Sequence, residues 1–145
     1  MINIYRRVNN LKKRWGTNDP FKLCKYLKIE VRYYDLGEIK GYYKKVFNRK
    51  FIVINENLSS LDKKIICAHE LGHCLLHSSK DIQNLLEYGN FAKYSIFEDE
   101  ANEFAAYLLV DSIFDECYKS YIKSELLEEL RYYSDYKLKY GRTSK

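Results

Sequence analysis

Apolar residues recur at helical spacing from the start of the chain. Ile4, Val8, Leu11 and Trp15, with Arg6, Arg7, Lys12 and Lys13 between them, predict an amphipathic first helix. Gly16-Thr-Asn18 breaks it. Asp19 followed by Pro20 starts a second helix, as cap and first-turn proline, with Phe21, Leu23, Cys24 and Leu27 on its buried side. The period then shifts to two. Ile29-Glu-Val-Arg-Tyr-Tyr34 alternates as a strand does, Asp35-Leu-Gly37 turns the chain, and residues 39–47 form a second strand whose Lys44 and Lys45 suit a solvent-facing edge. Asn48-Arg-Lys50 reads as a hairpin loop, and the continuously apolar Phe51-Ile-Val-Ile-Asn55 as a strand covered on both faces. Ser59, with Asp62 three residues on, resembles a capping box opening the next helix. Ser78-Ser-Lys-Asp81 ends that helix, and 82–96 reads as a loop or irregular segment. A strong helix follows over 98–109, its opening acids suited to the positive end of the helix dipole. Residues 112–140 are helical in pattern, anchored by Ile113, Phe114, Cys117, Leu126, Leu127, Leu130 and Leu138.

A chain of 145 residues predicts a single domain, 1–145, with a substantial core. No stretch approaches the roughly 20 apolar residues of a transmembrane helix, and the amino terminus lacks the apolar core of a signal peptide. The expectation is a cytoplasmic protein with no membrane partner, in which Cys24, Cys67, Cys74 and Cys117 are reduced thiols. The net charge of +5 conceals a bias: residues 1–50 carry 14 Lys or Arg against four Asp or Glu, while 51–100 carry four against eight. Such a bias reads first as a solvated face, and no direct nucleic-acid binding is expected.

The chemistry gathers in Cys67-Ala-His-Glu-Leu-Gly-His-Cys-Leu-Leu-His77, which holds all three histidines of the chain. Residues four apart share a helix face, so His69 and His73 can offer two imidazole nitrogens to one metal ion. Glu70, next round the helix, is placed to act as general base on the attacking water. This is the H-E-x-x-H arrangement of zinc hydrolases. Gly72 removes a side chain, so another element can pack close by. His77 is eight residues from His69 rather than the ten of the metzincin pattern, and reads as a supporting or structural residue rather than a ligand. Cys67 and Cys74 flank the histidines but point elsewhere, into the core. A catalytic zinc takes three protein ligands, and the third should be a carboxylate from the acidic helix that follows. Glu98, Asp99, Glu100 and Glu103 all compete, and spacing does not choose among them. The ligand set indicates Zn²⁺ but would also accept Mn²⁺ or Fe²⁺.

The motif and Glu98-Asp-Glu-Ala-Asn-Glu-Phe-Ala-Ala-Tyr-Leu-Leu109 together resemble the ImmA/IrrE family of metallopeptidases, as do Asp19-Pro-Phe21, Gly41-Tyr-Tyr43 and Ile52-Val-Ile-Asn55 upstream. The resemblance covers 19–110 well and 112–140 loosely, and Val110-Asp111 stands where the family often has Met-Pro. It implies an α+β fold, a small sheet of about three strands beside the central H-E-x-x-H helix, with further helices at both ends. It implies Glu100 as the third ligand, as the glutamate before the alanine of Glu-Ala-x-x-Phe-Ala. It also implies cleavage of a DNA-binding repressor, in an anti-repressor role for a mobile element or stress response. Tyr107, Tyr42 and Tyr43 are candidates to stabilise the oxyanion. The exposed edge over 39–47, with Gly41, Tyr42, Tyr43 and Lys44, is the expected seat of an extended substrate such as a segment of a helix-turn-helix repressor. The alternative is a non-cleaving, metal-stabilised module that binds a transcription factor and displaces it.

Overall fold

The computed structural model describes residues 2–77, 91–110, 128 and 130, with side chains of the 91–110 stretch from Ser95 onward. Local signals set the first elements. Helix α1 (Ile4–Trp15) is capped by Asn3, whose side chain accepts from the Arg6 amide at 3.0 Å. It stops at Gly16, where a φ of 67° lets the glycine N–H return to the Lys12 carbonyl. Asp19 caps α2 (Pro20–Tyr26) by accepting from the Phe21 amide at 2.9 Å, with Pro20 in the first turn.

Three strands follow, β1 (Ile29–Tyr34), β2 (Gly41–Val46) and β3 (Arg49–Asn55), in the spatial order β1-β3-β2. β3 runs parallel to β1 and antiparallel to β2, so the continuously apolar segment is the central strand and the lysine-bearing one is an edge. The hairpin turn is tighter than the sequence suggests. Arg49 and Lys50 pair with Val46 and Lys45, leaving Phe47 and Asn48 as the turn. Phe47 takes a φ of 55°, a conformation that a short turn demands and that phenylalanine does not advertise.

β3 is covered on both faces from Ile52 to Asn55, Val53 on the outer face being 5% exposed. Its inner side chains Ile52 and Ile54 are buried beneath the helical layer. Near the start of the strand, long side chains cover the ring of half-buried Phe51. The guanidiniums of Arg32 and Arg49 lie over the Phe51 ring at 5.0 and 5.1 Å, and both pair with Glu30. Arg49, and then Arg32, hold the Glu30 carboxyl below its ordinary range.

Helix α3 (Ser60–Leu76) opens at Ser59, whose hydroxyl accepts from the Asp62 amide at 3.1 Å. Every residue from Ile65 to Cys74 is buried, which makes α3 the central rod of the domain. The sheet packs on one side of it and α4 (Phe91–Leu109) on another, while α1 rests on α4 and α2 on α3 and β1. Helix α4 begins at Phe91, so 91–96 is helical where a loop was expected. Glu98 is therefore an interior residue, not one of the opening acids. Of the helical pattern over 112–140, only Glu128 and Leu130 are among the described residues; both are helical, and Leu130 joins the core. The architecture is α+β: a three-stranded mixed sheet and, among the described residues, four helices.

Two close approaches fix the layers. A Cβ on Gly41 would meet Ile66 Cγ2 of α3 at 2.7 Å and the Val53 carbonyl oxygen at 2.8 Å, so only glycine lets β2 lie this near the helix. A Cβ on Gly72 would stand 3.1 Å from Phe104 Cβ and Cδ1, the contact that sets the α3–α4 spacing. The loop before β2 is tied by buried Asn55, whose amide donates to the Gly37 and Ile39 carbonyls at 2.9 Å each and whose Oδ1 accepts from the Asn57 amide.

Gly72→Ala tests the helix contact by sign. In an open helix interior the change would gain about 1 kcal/mol of helix propensity. Against Phe104 it should instead cost about 1–3 kcal/mol, as overpacking does. In a Phe104→Ala background, measured by denaturant unfolding, the penalty should shrink or reverse. Additive effects would mean that the two positions are not in contact.

Candidate metal centre

The helical register of α3 puts the His69 and His73 rings side by side, their centroids 4.8 Å apart and nearly perpendicular. From α4, Glu98 reaches both. Its Oε1 lies 2.5 Å from His73 Nε2 and its Oε2 3.2 Å from His69 Nε2. All three side chains are buried, and one donor atom from each falls within 4.8 Å of the others. Tetrahedral coordination with bonds of about 2.0–2.1 Å spaces its ligands about 3.3 Å apart. The donor chemistry, two imidazole nitrogens and a carboxylate, fits a metal ion; the 3.2 Å contact has that spacing, while the 2.5 Å contact is a hydrogen-bond distance that a bound ion would open. Glu70 is also wholly buried, with Oε2 3.8 Å from His69 Nε2, beside the group and outside it.

The carboxylate that the structure brings to the histidines is Glu98, not Glu100. Two residues further on, about 200° around the helix, Glu100 turns away from His69 and His73. Its Oε1 pairs with Nε2 of His77 at 3.1 Å. Among the competing acids, Asp99 and Glu103 are exposed. The signal that could have selected Glu98 is its shared face with Ala101, Asn102 and Ala105, all buried.

His77 sits beside the centre without entering it. It is the cap residue after α3, with φ −130° and ψ 145°, and its side chain swings back along the helix. Nδ1 of His77 is hydrogen-bonded to Nδ1 of His73 at 3.1 Å, and the ring stacks on Phe97 with centroids 4.2 Å apart. Burial pushes the His77 pKa below its ordinary value, and the Glu100 contact offsets part of this.

The tyrosines are dispersed. Tyr107 meets the edge of the Tyr5 ring from α1, at 5.3 Å between centroids. Tyr107 lies seven residues after Glu100 and so on its helical face, and Glu100 does not join the group. Tyr43 packs on the core from the inner face of β2 and hydrogen-bonds to the Cys74 thiol; half-buried Tyr42 points to the opposite face. Cys24 and Cys67 approach to 3.9 Å between sulfurs. That contact and burial raise the Cys67 pKa, and burial raises that of Cys74, so both remain neutral core thiols. Cys117 lies outside the described residues. No helix among the described residues is long and apolar enough to cross a membrane.

With this geometry in place, comparison with known proteins is informative. The family model for Peptidase_M78, the IrrE N-terminal-like domain, matches residues 24–138. The chain belongs to this family. Among curated relatives it is 31% identical over 154 aligned positions to Metallopeptidase ImmA of Bacillus subtilis (strain 168), covering 95% of this chain and 89% of that protein. It is 38% identical over 104 positions to Uncharacterized immunity region protein 2 of Bacillus phage phi105, covering 71% of this chain and 65% of the phage protein, slightly under two thirds of its length. No solved structure matches the chain. It is thus a homologue of ImmA with a buried His-His-Glu group able to hold a metal ion.

Glu98→Ala should strip metal from the purified protein, whereas Glu103→Ala, an exposed change on the same helix, should leave the content at one equivalent. Atomic spectroscopy after dialysis measures both. Full occupancy in the Glu98 variant would move the third ligand elsewhere.

Proposed function

We propose that the protein is a Zn²⁺-dependent endopeptidase in which His69, His73 and Glu98 hold the metal and Glu70 is the general base. The observation that carries this reading is the buried His-His-Glu group with a second buried carboxylate 3.8 Å from one of its nitrogens. Kinship with ImmA supports the reaction class. Two imidazoles and a carboxylate suit Zn²⁺, although Mn²⁺ or Fe²⁺ would be accepted by the same set. When bound, the metal supplies Lewis acidity that polarises the scissile carbonyl and acidifies the attacking water.

The chain's own residues do the rest. Glu70, buried among apolar neighbours on α3, takes a proton from the water as its oxygen bonds to the carbonyl carbon. It then delivers that proton to the amide nitrogen as the C–N bond breaks, leaving a carboxylic acid and an amine. Burial of the whole group excludes competing solvent and strengthens each electrostatic contact within it.

The substrate enters, in this reading, along β2. That strand is the edge of the sheet and carries half-buried Tyr42 and Tyr43 and exposed Lys44. Gly41 abuts Ile66, one turn before His69, and Tyr43 reaches Cys74, the residue after His73. The edge thus runs beside the metal-binding span of α3, where an added strand would lay its backbone across the site. The substrate is a DNA-binding repressor of helix-turn-helix type, cut in a loop or linker where the chain can extend. The phage relative named for an immunity region supports a target among regulators of that kind. The reaction belongs in the cytoplasm, where such regulators act.

Glu70→Gln should keep the fold and the metal while reducing hydrolysis by about 10²–10⁴-fold, the usual share of a general base. A repressor encoded beside this protein, incubated with wild type and with the Gln variant, should give a metal-dependent fragment by mass spectrometry only with wild type. If neither cuts it yet both release it from DNA, displacement is the function. If wild type cuts unfolded proteins generally and no repressor, the substrate assignment fails.

A further inference from the structure

We infer that Glu100 and His77 form a hydrogen-bond relay that fixes the protonation and aim of His73, so that Glu100 positions a metal ligand without being one. The inference rests on the metal-site reading above.

The geometry is continuous from α4 to the centre. Glu100 Oε1 is 3.1 Å from His77 Nε2, His77 Nδ1 is 3.1 Å from His73 Nδ1, and His73 Nε2 faces Glu98. With a cation on His73 Nε2 and both rings neutral, the proton positions follow along the chain. A carboxylate at Glu100 only accepts, so His77 must carry its proton on Nε2 and donate it there. His77 Nδ1 is then a bare acceptor, so His73 must hold its proton on Nδ1 and donate it to His77. His73 Nε2 is left with its lone pair turned towards Glu98 Oε1. Two electron-pair donors so placed suit a cation held between them; without one, their 2.5 Å contact is a hydrogen bond. The opposite orientation, with His73 donating from Nε2 to Glu98, would leave His77 Nε2 and Glu100 as two acceptors face to face. With metal bound, the relay to Glu100 is thus satisfied throughout, and Glu100 favours the tautomer of His73 that binds metal.

The surroundings hold the relay rigid. His77 is 7% exposed and lies flat on Phe97, at 17° between the rings. Phe97 precedes Glu98 and lies three residues before Glu100. One segment of α4 thus supplies a ligand, the stacking surface and the terminal acceptor. Ligand histidines are commonly oriented through their second nitrogen by a carboxylate, and loss of such a partner lowers metal affinity by about 10–100-fold. Here the carboxylate acts at one remove, through a second imidazole.

The test measures Zn²⁺ affinity by competition with a chromophoric chelator, together with the visible spectrum of the Co²⁺-loaded protein. Far-UV circular dichroism before loading establishes that each variant is folded. Glu100→Ala and His77→Phe, the latter keeping a ring against Phe97, should each bind Zn²⁺ about 10–100-fold more weakly. Both should retain the tetrahedral Co²⁺ bands of wild type. The double variant should be no weaker than His77→Phe alone, because Glu100 acts only through that ring. His77→Gln, which can accept from His73 and donate to Glu100, should recover part of the affinity that His77→Phe loses.

Wild-type affinity in Glu100→Ala would overturn the relay, as would additive losses in the double variant. A changed Co²⁺ spectrum in Glu100→Ala would make Glu100 a ligand and equally overturn it. Failure of the underlying metal-site reading looks different: wild type would bind no metal, or Glu98→Gln would bind it undiminished.

Discussion

One carboxylate joined to two imidazoles across a helix–helix interface is the constraint on which this molecule turns. Glu98 reaches from α4 to His69 and His73 on α3, in a place where none of the three side chains meets solvent. Burying a carboxylate costs several kcal/mol unless its charge is compensated, and Glu70 brings a second one close by. Such a group survives only where the scaffold allows it no relaxation. Close packing of α4 on α3 through Gly72 and Phe104 provides that rigidity, because a shift of a few tenths of an ångström there would move every distance in the group. Stability and chemistry thus compete for the same contact.

The sheet answers a different requirement. In the proposed function one flank of α3 has to admit a polypeptide. The order β1-β3-β2 places β2 at an edge and the apolar strand in the middle, where the Ile52 and Ile54 side chains join the core with α3. Asn55 closes the loop that delivers the chain to Gly41, so the edge is aimed by a buried polar residue with no part in the chemistry. Its amide satisfies backbone carbonyls that would otherwise be orphaned at the end of the sheet.

What could be read from the sequence was whatever depends on neighbours along the chain. Caps at Asp19 and Ser59, the breaker at Gly16, the strand at 29–34 and the paired histidines all act within a few residues, and each stands where its local chemistry places it. Gly72 as a point of close approach was also legible, since a glycine inside a helix needs a packing reason. The turn at Phe47 was not, because its positive φ is imposed by hairpin closure against the preference of the residue. Nor was the start of α4: with the acids taken as its first turn, Glu98 and Glu100 look equivalent. Once the helix begins at Phe91, its buried face is set by Ala101, Asn102 and Ala105, and Glu98 shares that face. Choosing the carboxylate is therefore a question of rotation between two packed helices, which no spacing within either helix contains.

His77 shows the same limit from the other side. Counting along an ideal helix, an offset of eight from His69 places its ring on the ligand face but two turns away, beyond reach of the same ion. The helix ends one residue too soon for that count to hold. At φ −130° and ψ 145° the backbone has left the helix, and the side chain folds back to touch His73 through Nδ1. Its Nε2 is then free to face the adjacent helix, where Glu100 stands. The two glutamates of Glu98-Asp-Glu100 consequently divide the histidines between them, one facing the pair on the helix and the other the one just beyond its end. An acid pair spaced by one residue lies on nearly opposite sides of a helix, and here both sides of α4 find an imidazole because α3 stops where it does.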